Sequence, residues 1–167
     1  MSDPKVPIDT GPLRDAYGAL LEAAATVADA GEVKSPPPGE WNADQILAHV
    51  AIVTAGTITA VSRVAAGENA TYDNRTSQDA WTIERIIALA GGNEGLRERI
   101  RVQGEALCSL GQALGATELD TSVPTLLLSG GNALVDQPVP VRDLVLGLAE
   151  AELPGHAKQL LALLPNA

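Results

Sequence analysis

A sequence with no phenylalanine, two tryptophans and two tyrosines has to build its interior from aliphatic side chains. Hydrophobic residues still make up 46% of the 167, so Ala, Leu, Val and Ile must fill the core. Sheets favour aromatic and β-branched residues, whereas Ala and Leu are strong helix formers. The composition therefore points to an all-α fold. The length suits a single domain over residues 1–167 with one core.

The periodicity carries the argument from composition to elements. Residues 1–10 read as a loose lead-in with two prolines. A first helix begins near Gly11-Pro12, where the missing proline N–H is harmless. Leu13, Tyr17, Leu20, Leu21, Ala24 and Val27 then form one apolar stripe that fades near Ala30-Gly31. Ser35-Pro36-Pro37-Pro38-Gly39 is a stiff break. Asn42 with Gln45 three residues on is the pattern of a capping box. It predicts a second helix from Ala43 to Ala66, closed by Gly67, with Ile46, Val50, Val53, Thr57, Val61 and Val64 facing inward. Glu68 to Ser77 reads as polar loop. A long third helix is expected from Ser77 or Gln78 to Leu114, bent at Gly91-Gly92. Between Thr117 and Val141 the pattern changes to a β-hairpin turning at Ser129-Gly130-Gly131-Asn132. The hairpin is the only β element expected. A last helix runs from Val141 to Leu164. The sum is a four-helix bundle with a hairpin insert over residues 117–141.

Two histidines stand out because the sequence has no others. On the last helix Val145, Leu148, Glu152, His156, Gln159 and Leu163 fall near one line at 3.6 residues per turn. Glu152 and His156 thus share an otherwise apolar face. A carboxylate placed there must pair, coordinate a metal or take up a proton. His49 lies at the flank of the second helix's stripe, beside Ile46 and Val53, and can point into the bundle. His49, Glu152 and His156 would make a facial set with open positions, suited to Zn²⁺ or Ni²⁺. A buried Glu152–His156 pair without metal accounts for the same spacing. Pro154 lies between the two residues on the last helix, on the outer face by the same wheel, where it would bend the helix. Metal held by two histidines should bind more weakly as pH falls through the histidine range.

Trp41-x-x-x-x-Ile46-Leu47-Ala48-His49 resembles the start of the second helix in DinB-like metal-binding bundles. That superfamily includes the N-terminal domain of mycothiol-dependent maleylpyruvate isomerase and the bacillithiol transferases. His156-Ala157-Lys158-Gln159, and the hairpin before the last helix, are similar too. Many members carry His-x-x-x-His on that helix; Glu152 in the first position resembles the isomerase branch, with its His, Glu, His ligands. The isomerase carries a further C-terminal domain that has no counterpart in this sequence. The resemblance implies a divalent metal at His49, Glu152 and His156. It also implies a low-molecular-weight thiol such as mycothiol, held as thiolate, and transferase or isomerase chemistry on a small-molecule substrate. The alternatives are a non-catalytic metal- or ligand-binding bundle, acting as sensor or dimerisation module, and a metal-free structural bundle. Homodimer formation is compatible with each.

Other features narrow the field. A net charge of −10, from eleven basic and twenty-one acidic residues, leaves no cationic footprint for nucleic acid and disfavours anionic membranes. No stretch reads as apolar enough, for long enough, to span a bilayer. Cys108 is the single cysteine, so no intrachain disulfide forms. The start Met1-Ser2-Asp3-Pro4-Lys5 lacks the pattern of a signal peptide. These point to the cytoplasm. Cys108, among Leu107 and Leu110, reads as a buried thiol. Trp41 and Trp81 read as core anchors or as lining for a pocket mouth. Arg63 and Arg85 could meet an acidic thiol cofactor, or sit on the surface. Glu150 falls nearer solvent on the wheel.

Overall fold

The computed structural model describes residues 7–166 and is dominated by helix, with one small sheet. Helix α1, Gly11–Asp29, carries a proline in its first turn and buries Leu13, Tyr17, Leu20, Ala23, Ala24 and Val27. Helix α2, Ala43–Ala65, starts at the capping box the sequence announces. Asn42 Oδ1 accepts from the Gln45 N–H at 2.9 Å, and Gln45 Oε1 accepts from the Asn42 N–H at 3.0 Å. By length and composition α2 would suffice to cross a membrane, which corrects the sequence expectation. More than half of its most apolar stretch is buried within the protein, as befits a core helix.

The expected third helix is two helices, α3 at Ala80–Ala90 and α4 at Asn93–Ala113. Gly91 takes a left-handed conformation, φ 79°, and the Gly92 N–H reaches back to the Ile87 carbonyl. That closes α3 instead of bending a continuous helix. Asp79 caps α3 through the Thr82 N–H and hydroxyl, so this helix starts slightly later than expected. A short helix α5, Ala116–Leu119, leads into the hairpin.

Strands β2, Ser122–Ser129, and β3, Asn132–Pro140, are antiparallel and joined by Gly130-Gly131, both at positive φ. Opposite Leu127 and Leu128 the partners are Val135 and Ala133, so Leu134 is an extra, bulged residue. The hairpin is not the only β element. Labelled β1, Tyr72–Asp73 pairs in parallel with Thr125 and Leu126 of β2, making a three-stranded sheet ordered β1-β2-β3. Residues 68–77 are therefore not all loop: Thr76–Gln78 also forms a 3₁₀ turn.

The last helix is interrupted. α6, Val141–Gly147, passes into a π-turn at Leu148–Glu152 and then α7, Leu153–Leu161, ending before the expected Leu164. Pro154 has no N–H to return to the Glu150 carbonyl, and just before it the Leu153 N–H bonds to Leu148, five residues back. Pro154 itself is exposed, on the outer face as the wheel places it.

Helix α1 packs on α4 and α7, while α2 packs on α4, α3 and α7. Leu20, Ile46, Leu47, Leu96, Ile100, Leu107 and Leu160 are wholly buried between them. Each such side chain contributes about 1.5–3 kcal/mol. Close approach of α1 to α4 is permitted by Gly104, over which the Tyr17 ring lies.

Candidate metal centre

The three residues singled out by the sequence come together. His49, buried in the second turn of α2, meets Glu152 at the end of the π-turn and His156 in α7. Glu152 Oε1 lies 2.9 Å from His49 Nε2 and 2.9 Å from His156 Nε2. One ligand atom from each of the three lies within 4.8 Å of the others, an arrangement that could hold a metal ion. The rings of His49 and His156 stand edge to face at 4.7 Å between centroids.

The outer nitrogens fix the protonation pattern. His49 Nδ1 is 2.8 Å from the Ser77 carbonyl oxygen, which can only accept, so this nitrogen carries a proton. His156 Nδ1 donates likewise to Gln159 Oε1 at 2.9 Å. Each neutral ring then aims an Nε2 lone pair at Glu152 Oε1, itself an acceptor. Such a cluster requires a cation at its centre. Either protons occupy the Nε2 positions, making imidazolium–carboxylate pairs, or a metal ion replaces them.

Electrostatics follow from this crowding. Burial favours the neutral form of the Glu152 carboxyl, but the hydrogen bonds from His156 and His49, and their charges, outweigh it and hold the group well below the usual carboxylate range. Burial likewise disfavours charging His156. The hydrogen bond and charge of Glu152, with help from Gln159, overcome that and raise it above its ordinary value.

The centre opens into a cavity of about 750 Å³ between the helices and the sheet. Trp41 forms part of the wall and lies 4.7 Å from the His49 ring, centroid to centroid. Tyr72 lines it as well; burial pushes its hydroxyl up to about 12, and the group bonds to Thr57 at 2.9 Å, so it stays neutral. Trp81 is not a core anchor: it is 74% exposed on α3, whose inward face is held by Ile83. Arg63 and Arg85 are exposed and not part of the cavity wall; Arg63 lies 3.9 Å from Glu68. Glu150 is exposed, and burial pushes the Cys108 thiol up, leaving it a buried protonated group.

Two supporting residues escaped the sequence reading. The Ser77 carbonyl is a backbone group, which no side-chain pattern marks. It is held by a short web in which the Ser77 hydroxyl donates to the Asn74 carbonyl at 2.6 Å. The Asn74 side chain in turn bonds to both backbone polar groups of Leu128 on the hairpin. Gln159 lay on the inner face by the wheel, three residues from His156; that spacing was the available signal for its role. No protein-family model, no curated protein and no solved structure matches the chain.

Proposed function

We propose that this chain is a divalent-metal-dependent enzyme of the thiol-dependent transferase or isomerase type, built on a DinB-like four-helix bundle. The observation that carries the metal assignment is the pair of histidines whose Nδ1 protons are committed to Ser77 and Gln159. Two Nε2 lone pairs and one carboxylate oxygen are left facing a common centre. Two nitrogens and one oxygen suit Zn²⁺ best, with Ni²⁺ as the alternative. His49, Glu152 and His156 would hold the ion. When bound, it supplies the Lewis acidity that keeps a thiol such as mycothiol, or a water, deprotonated near neutral pH.

The rest of the chemistry belongs to the chain. Glu152 balances one positive charge at the centre. Ser77 and Gln159 fix the orientation of the two imidazoles. Trp41 packs beside the His49 ring at the cavity wall. The cavity adjoins His49, Glu152 and His156 and would hold a second reactant beside them, where proximity lowers a reaction barrier.

The test is zinc-dependent conjugation of mycothiol, and of simpler thiols, to a generic electrophile. Turnover is expected in the zinc-loaded protein and its loss in His49→Ala. Zinc binding with no thiol chemistry across such a screen would leave the second reading, a non-catalytic metal- or ligand-binding bundle.

A further inference from the structure

The walls of the cavity carry a charge pattern that bears on what enters it. On the helical side Val53, Leu144 and Leu148 are buried and face it. On the sheet side it is lined by Leu127, Val139 and the bulged Leu134, which is 69% exposed at the mouth. The acidic residues in the wall are Glu40, Asp143 and Glu152 itself. No lysine or arginine lines the cavity among the described residues. The arginines nearest in sequence to wall residues are engaged elsewhere, Arg75 with Asp73 and Arg142 with Asp120 at 3.4 Å.

A carboxylate or phosphate placed against the aliphatic part of the wall loses hydration and meets no lysine or arginine, and the two histidines in the wall are already bonded to the Glu152 carboxylate. Glu40 and Asp143 add repulsion, as does the net charge of −10. An uncharged, largely apolar body loses nothing comparable and covers the exposed aliphatic surface. The volume matches a single small molecule. We propose that the cavity takes an uncharged, largely apolar small molecule and rejects anionic ones. This deepens the reading of the metal centre and rests on it for what happens at the molecule's reactive end. The charge preference comes from the wall outside the three-residue centre, where Glu40 and Asp143 are the charged groups.

Metal-free protein removes the largest competing attraction, because a bound ion would itself draw in a carboxylate. The full chain with Trp81→Phe leaves Trp41, in the cavity wall, as the single tryptophan reporter. Chelator-treated protein is titrated with 4-propylbenzyl alcohol and with 4-propylbenzoate, matched in size and different in charge. The alcohol is expected to bind at least about tenfold more tightly than the carboxylate. Leu134→Arg, at an exposed position that tolerates a long side chain, should narrow the gap by several-fold. Equal or tighter binding of the carboxylate, or no response to either probe, overturns the inference. Zinc titration of the same preparation reports separately on the metal centre. Zinc binding without the charge preference refutes the cavity inference alone, and the preference without zinc binding refutes the metal reading alone.

Discussion

Replacing Glu152 by glutamine should destabilise the metal-free protein in a way that depends on pH. Glu152 Oε1 receives two hydrogen bonds, each 2.9 Å, from the Nε2 atoms of His49 and His156. A fully buried charge-assisted bond is worth about 1.5–3 kcal/mol. The Glu152 side chain is 35% exposed, so solvent screening reduces that figure, and glutamine keeps an oxygen that can still accept. A loss of about 1–2 kcal/mol follows, or a fall in Tm of about 2–8 °C for a domain of this size. His156 is raised in the folded state, so its contribution is complete below its unfolded value, about 6.5, and disappears as pH rises through the folded one. Glu152 is lowered, so its contribution is present above about 4.5 and disappears as pH falls through the folded value. The window in which both operate spans about pH 4.5 to 6.5. Urea unfolding in the presence of chelator, at about pH 5.5 and about pH 8.5, should show the full difference at the lower pH and a smaller one at the higher. The same loss at both values, or none at either, would refute the imidazolium–carboxylate account of the metal-free centre.

Gln159→Leu frees the His156 Nδ1 proton and should weaken zinc binding by about 10–100-fold, read by competition with a chromophoric chelator, while the fold persists. Gly91→Ala forces a side chain into φ 79° and should cost about 1–2 kcal/mol in thermal unfolding, against the gain alanine would bring inside a continuous helix. Zinc affinity should fall as pH drops through the His156 titration, which Glu152 lifts above the ordinary histidine range, with protons released on binding at lower pH, both measurable by calorimetry in buffers of different ionisation enthalpy.

What the sequence disclosed, and what it hid, divides along the range of the interactions. The Asn42–Gln45 capping box and the inward stripe of α2 are local, and they place His49 in register. The four-residue spacing of Glu152 and His156 survives in the structure because both lie at or beyond the end of the π-turn. The π-turn itself depends on how the chain accommodates Pro154 within a packed helix, and periodicity alone cannot reveal that. Tyr72–Asp73 is too short to show a period-two pattern and is a strand because β2 lies beside it. The break between α3 and α4 was marked by Gly91-Gly92, but a glycine pair is compatible with a bend or with a stop. The left-handed closure at Gly91 and the separate packing of α3 decide for the stop. Trp81 was misplaced for a related reason: α3 meets the core through Ile83, which leaves the tryptophan outside.

The central claim is that His49, Glu152 and His156 form a metal centre, and metal content measures it most directly. Elemental mass spectrometry on untagged protein purified without chelator, and again after zinc reconstitution, would be run beside His49→Ala and Glu152→Ala. The account predicts about one equivalent of zinc or nickel in the wild type and its loss in both variants. No metal in the wild type after reconstitution, or equal metal in the variants, would contradict it and leave the three residues as a buried, proton-bridged polar cluster.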